Sequence, residues 1–319
     1  MRFIKGLGKF IVFILIVFGV INLLPVSKVV EDNPWMKVDK TLISAHRGGA
    51  KLNPENTKKA FDYVIKETNY CDIVEIDIRT TKDNILVINH DSTINRVALE
   101  DNQEDINIGN STFEELKQYN LGRNFVDRDK NKPYLDLTLE EAKNEGLIMM
   151  SLEEFFIEYQ EVRDFKLFLE IKEDGDLANK TADKVMEYLN SDKYSWWKSR
   201  TMIISFTDSV LDYIAEKYPE QYLGALGYKI APEIAFEILK LNPLYKPKFQ
   251  CFQTPMVNNL GPISINMATE KYVKMAHKRN QTITYWTINN EKDMQKIIDI
   301  GADIITTDAP DVLEKLLNK

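Results

Sequence analysis

Histidine and cysteine are scarce in this chain, with three of the one and two of the other among 319 residues. Two cysteines are too few for a disulfide scaffold. Cys71 and Cys251 each lie in an apolar run that reads as a strand, far apart in sequence, and read as unpaired buried thiols. No basic block stands out after the first residues, and the formal net charge is −8. Gripping a nucleic-acid backbone takes clustered Lys and Arg, so nucleic acid is excluded as the main partner. One small phosphate bound by a few cations remains compatible with this balance. No low-complexity segment or internal repeat is present.

The first thirty residues differ from the rest. Arg2, Lys5 and Lys9 precede an apolar run from Phe10 to Val26, interrupted by Gly19, Asn22 and Pro25. Its length is at the short edge of the about 17–25 residues that a membrane span needs. The expectation is one N-terminal transmembrane helix within residues 1–30, with its basic end cytoplasmic and the remaining chain outside, a single-pass cell-membrane protein. A cleaved signal sequence, giving a secreted protein, is the rival. Residues 31–41 read as a linker, and residues 42–319 as one folded unit.

Across that unit, short β-rich runs alternate with amphipathic helical stretches. Candidate strands are Leu42–His46, Ile73–Asp77, Leu86–His90, Leu167–Lys172, Met202–Ser205, Tyr222–Leu226, Phe249–Thr254, Thr282–Thr287 and Ile304–Thr307. The alternation predicts βα units around a parallel sheet, an α/β fold. Polar residues at strand C-termini favour a (β/α)8 TIM barrel. Nine candidates compete for eight positions, with Tyr222–Leu226 and Phe249–Thr254 the weakest patterns. Residues of about 92–151 break the alternation and read as a small insertion after the third strand, over the barrel mouth.

The chemistry gathers at strand ends. His46 and His90 close two apolar runs with Asp, Glu and Arg nearby, and imidazole titrates near neutral pH. Glu75 and Asp77 alternate with Val74, Ile76 and Ile78, so both face the barrel interior. Glu170 holds the same kind of position on a later strand. Interior carboxylates are costly unless paired or bound to metal. Arg47 and Lys172 suit phosphate oxygens, the one as a fork and the other as a compact charge. Together these residues read as a metal-assisted acid/base site for a phosphate or phosphate ester.

The pattern His46-Arg47-Gly48, Pro54-Glu55-Asn56-Thr57, Glu75-x-Asp77, Thr81-Lys82-Asp83 and His90-Asp91 resembles the glycerophosphodiester phosphodiesterase family, with the likeness running from about Leu42 to Pro310. The resemblance implies that His46 and His90 are the acid/base pair. It also implies that Glu75, Asp77 and Glu170 hold a divalent cation, and oxygen ligands favour Ca²⁺, Mg²⁺ or Mn²⁺. A carboxylate–cation network without metal is the alternative. By the same likeness Trp286 and Phe206 line the glycerol side of the cleft. Glu55 and Asn56 support the histidine or the metal, or merely cap the helix that follows. Glu153 is a candidate hydrogen-bonding support, and Asp308 reads as structural. Asn84 replaces the family's usual turn glycine.

The expected reaction splits a glycerophosphodiester into glycerol 3-phosphate and an alcohol. Lysophospholipase D or hydrolysis of a glycerophosphate polymer at the cell surface are alternatives within the enzyme class. A tethered, non-catalytic binding module is the alternative outside it. Oligomeric state is not legible.

Overall fold

The computed structural model describes residues 2–36, 40–100, 102–260 and 263–318, without the side chains of 2–8, 260 and 263. Among these residues eleven strands form: β1 Leu42–Ala45, β2 Ile73–Thr80, β3 Leu86–Ile88, β4 Lys166–Ile171, β5 Thr201–Ser205, β6 Tyr222–Ala225, β7 Cys251–Thr254, β8 Val257–Leu260, β9 Ile263–Asn266, β10 Thr282–Tyr285 and β11 Ile304–Thr307. The staves β1, β2, β4, β5, β6, β7, β10 and β11 pair in parallel in that order, and β11 returns to β1. This is the closed eight-stranded barrel that the alternating pattern predicts.

The surplus candidate is not one of the two weak ones, since both β6 and β7 are staves. It is Leu86–His90, which forms only the short β3 and pairs antiparallel to β2 outside the barrel. A tight turn places it there, with Asn84 at φ +59, the left-handed conformation that asparagine tolerates. His90 therefore follows a rim strand by two residues rather than ending a stave. The hairpin β8–β9 is a second addition, in the connection after β7.

Two apolar cores follow from period-two alternation on the staves. Val74, Ile76 and Ile78 of β2 face outward onto the helices. Ile73, Phe168, Met202, Cys251 and Ile304 fill the interior. Cys71 and Cys251 are buried and unpaired. The insertion has its own small core of Val87, Ile94, Ala98, Ile108, Leu116, Leu121 and Met149. Among the described residues it carries three short α-helices, Asn95–Ala98, Phe113–Leu116 and Leu139–Asn144, where the sequence pattern suggests one, at Thr112–Gln118.

The expected linker is a strap. Asn33 donates to the carbonyls of Gln250 and Asn280, both at the N-terminal ends of staves. Trp35 is fully buried in the interior and stacks on Phe168 with ring centroids 5.4 Å apart. The N-terminal end of the barrel is thus plugged by a residue from outside the barrel sequence.

The expected transmembrane helix is not borne out. A helix does form over Arg2–Leu23, but among the described residues no helix is long and apolar enough to cross a membrane. Its apolar side chains from Phe10 to Phe18 are nonetheless exposed.

Candidate active site

A cavity of about 220 Å³ opens at the C-terminal end of the staves. Its lining combines the charged and titratable residues His46, Arg47, Glu75, His90, Glu170 and Lys172 with the apolar Phe168, Ile204, Phe206, Leu226 and Trp286. The first set suits a charged phosphate and the second a carbon chain.

The turn after β1 places the first histidine. His46–Gly48 is a short helical turn in which Arg47 has φ +53 and Gly48 φ +78. A Cβ on Gly48 would come within 3.0 Å of both Ala60 and Phe61, so side chain and conformation alike demand glycine there. The sharp turn points the Arg47 amide at Glu75, to which it donates at 2.8 Å. His46 Nδ1 lies 2.6 Å from Asp308 Oδ1, and Asn289 donates to the other oxygen of Asp308 at 2.6 Å. Burial opposes the imidazolium form, but the Asp308 hydrogen bond and the charge of Glu75 carry the pKa of His46 above its ordinary value.

His90 is held in the same manner. Its Nδ1 lies 2.7 Å from Asp91 Oδ1. Arg79, from β2, donates to the His90 carbonyl at 3.0 and 3.1 Å and to the Lys172 carbonyl at 3.0 Å. In both histidines Nδ1 is engaged by a carboxylate, which leaves Nε2 as the nitrogen open to a substrate.

Beneath them lie three buried carboxylates. Glu75, Asp77 and Glu170 offer oxygens all within 4.8 Å of one another. Asp77 and Glu170 are register partners on adjacent staves, which is why residues so distant in sequence meet. Burial, reinforced by the charge of Asp77, pushes Glu75 up to about 8, and the same two causes raise Glu170. Asp77 goes the other way: burial opposes its charge, but Arg47 and Lys172 hold it below the usual carboxylate range. Arg47 Nε is 3.3 Å and Lys172 Nζ 3.7 Å from Asp77, and Lys172 Nζ is 2.8 Å from Glu170. One oxygen of Asp77, Oδ1, is buried with no hydrogen-bond partner. Three acids, two of them pushed toward the neutral form, with an unsatisfied oxygen among them, fit a hard divalent cation.

The flanking residues divide. Asn56 donates to Asp77 at 2.8 Å, and Thr57 rather than Asn56 caps the following helix. Glu55 accepts from Arg47 at 3.0 Å. Phe206 and Trp286 meet edge to face with centroids 5.3 Å apart on the apolar wall. Glu153 is elsewhere: it accepts from Lys193 and from Tyr194, on the outer helical layer, and does not support the site. His277 is an exposed residue of the outer helix Glu270–Lys278, with Nε2 2.9 Å from Asp303. Asp308, read as structural, is a direct partner of His46. Asn289, Arg79 and Arg96 were not singled out, and Asp91 entered only as part of the His90-Asp91 motif, without a role of its own.

Paired imidazoles, a buried carboxylate cluster and an Arg–Lys pair at the mouth of a (β/α)8 barrel define an enzyme that cleaves phosphate esters. The particular family is shown by comparison: the model of the glycerophosphoryl diester phosphodiesterase family matches residues 46–312, and the chain belongs to it. A glycerophosphodiester phosphodiesterase of Caldanaerobacter subterraneus is 28% identical over 88% of this chain and 99% of its own length. A human lysophospholipase D is 24% identical over 86% of this chain and 85% of its own. Among solved structures, an Oleispira antarctica phosphodiesterase in complex with the product sn-glycerol-3-phosphate superposes with a TM-score of 0.64 at 19% identity, covering 88% of this chain and 98% of that one.

Proposed function

We propose that the enzyme hydrolyses glycerophosphodiesters to glycerol 3-phosphate and an alcohol, with Glu75, Asp77 and Glu170 holding a divalent cation and His46 and His90 as acid and base. The observation that carries this reading is the pair of Nδ1-anchored imidazoles above the carboxylate cluster. A bound Ca²⁺, Mg²⁺ or Mn²⁺ would supply a Lewis acid for a phosphoryl oxygen. Arg47 and Lys172 complement the remaining phosphate charge. One imidazole takes the proton from the attacking hydroxyl, whether of water or of the glycerol 2-position. The other protonates the leaving alkoxide at its own Nε2. Trp286 and Phe206 pack on the glycerol carbons.

A second reading, lysophospholipase D, is favoured by the apolar side of the cavity and by the human relative. Assay on glycerophosphocholine and lysophosphatidylcholine, stripped with EDTA and then resupplied with each cation, separates the two. Metal-restored glycerol 3-phosphate from the first substrate supports the main reading. Choline from the second alone moves the assignment to lysophospholipase D. Turnover of neither substrate with any cation refutes both.

We also propose a location on the outer side of the cell membrane, with the helix Arg2–Leu23 in contact with lipid. Its exposed apolar side chains and the basic residues at its start support this. Recovery of the full chain in the soluble cell fraction would count against it.

A further inference from the structure

The two halves of the polar site are joined by a residue that touches neither substrate pocket nor metal cluster. Arg96 lies on the first short helix of the insertion, Asn95–Ala98. Its NH1 and NH2 donate to both oxygens of Glu55 at 2.8 and 2.7 Å. Its Nε donates to Asp91 Oδ2 at 2.7 Å. Glu55 in turn accepts from Arg47 at 3.0 Å, and Asp91 holds His90 Nδ1 at 2.7 Å. The result is a chain of alternating charge, Arg47–Glu55–Arg96–Asp91–His90. It starts on the residue placed against phosphate and ends on one imidazole.

We infer that Arg96 is a positioning residue for the reaction, and that through it the insertion sets the orientation of Arg47 and His90 together; this rests on the function proposed above. Three features argue for it. First, all three donor nitrogens of the guanidinium are used, on two different carboxylates, which a fork can do and a point charge cannot. Second, Glu55 has both oxygens and Asp91 one oxygen on Arg96, and each carboxylate shares its charge with a functional group, Arg47 or His90. Removing Arg96 frees both to rotate. Third, the contribution to stability is small by placement: the Arg96 side chain is 50% exposed, and exposed ion pairs contribute about 0–1 kcal/mol. A network that contributes little to stability is explained by what it positions.

The test uses the full chain with its cation, glycerophosphocholine as substrate, and the variants Arg96→Ala and Arg96→Lys. A misplacement of about 1 Å in an acid/base group costs on the order of 100-fold in rate. The expected result is therefore a fall in kcat of that order in R96A, an intermediate kcat in R96K, and an unfolding midpoint near that of wild type in both. Guanidinium ion added to R96A should restore part of kcat, because it can occupy the same site between Glu55 and Asp91. Wild-type kcat in R96A overturns the inference. So does a loss of activity that tracks a lowered unfolding midpoint and answers neither to lysine nor to guanidinium, since that is a structural role. A wild-type enzyme inactive on glycerophosphodiesters overturns the proposed function, and this inference with it.

Discussion

Each histidine is oriented by a carboxylate that sequence reading treated as secondary. Asp308 is 262 positions from His46, and their 2.6 Å contact exists only because β11 closes against β1. By contrast, Glu75 and Asp77 were legible because strand periodicity alone puts them on one face. Glu153 was misread because it sits on a helix, where its direction depends on packing that the sequence does not print. Replacing Asp308 by Asn should keep the fold and lower kcat about 10- to 1000-fold, because an amide can hold the wrong imidazole tautomer; steady-state kinetics beside circular dichroism checks this. The carboxylate cluster gives a pH-dependent prediction. The pKa of Glu75 is raised in the folded state by burial and by Asp77. Its contribution is thus least unfavourable below the unfolded value of about 4.3, and stability is lost as pH rises toward the folded value of about 8. In EDTA, Glu75→Gln should raise the unfolding midpoint by about 2 °C or more at pH 8 and hardly at all at pH 4. Added Ca²⁺ or Mg²⁺ should stabilise wild type and not the variant. Equal effects at both pH values would dispose of the argument.

Elements were read well where a strand or helix stands by local pattern and less well where pairing decides. All eight staves were on the candidate list, yet Leu86–Ile88 could not be told from a stave, because three buried apolar residues look alike in a barrel and in a hairpin. The insertion helices were partly missed for a related reason: four to six residues show too little periodicity. Their signals lie in the caps. Thr112/Glu115, Thr138/Glu141 and Ser151/Glu154 are reciprocal capping boxes, each with a side chain satisfying the backbone at both ends of the first turn. The last of these starts the helix Leu152–Tyr159, which covers β3 and the insertion side of the barrel. Its Ser151 bridges Val87, so the cap also fixes the rim strand that leads to His90. Ser151→Ala should cost about 1 kcal/mol in urea unfolding, and Thr112→Ala, on a more exposed helix, no more than that. If the two rank in the opposite order, the rim strand does not depend on this cap.

At the scale of the molecule, the mouth and the N-terminal segment lie at opposite ends. Val29 donates to the Arg279 carbonyl at 2.8 Å, and Asn280 donates to the carbonyls of Val30 and Glu31 at 2.8 and 2.9 Å. These bonds fasten residues 29–33 to the loop before β10, at the end away from the histidines. A lipid surface touched by the N-terminal helix would therefore meet the closed end of the barrel, leaving the cavity turned toward the aqueous side. The strap reads as a polar linker in sequence because its apolar residues are few, Trp35 and Met36 foremost, and nothing local tells the tryptophan that its partner is Phe168. Two truncations separate the roles of these parts. Beginning the chain at residue 25 removes the exposed helix and keeps Asn33 and Trp35, so stability and kcat on glycerophosphocholine should be close to those of the full chain. Beginning it at residue 41 removes the plug, exposing Phe168 and leaving a void within the staves. Burial of a large aromatic stabilises by about 3–5 kcal/mol, and Trp35→Ala should show a loss of that size without truncation. Because the plug lies beneath the carboxylate cluster rather than in it, the folded fraction of the W35A variant should retain metal-dependent turnover. A W35A enzyme as stable as wild type would mean that the barrel closes its own base, and that the strap serves only to set where the N-terminal helix leaves it.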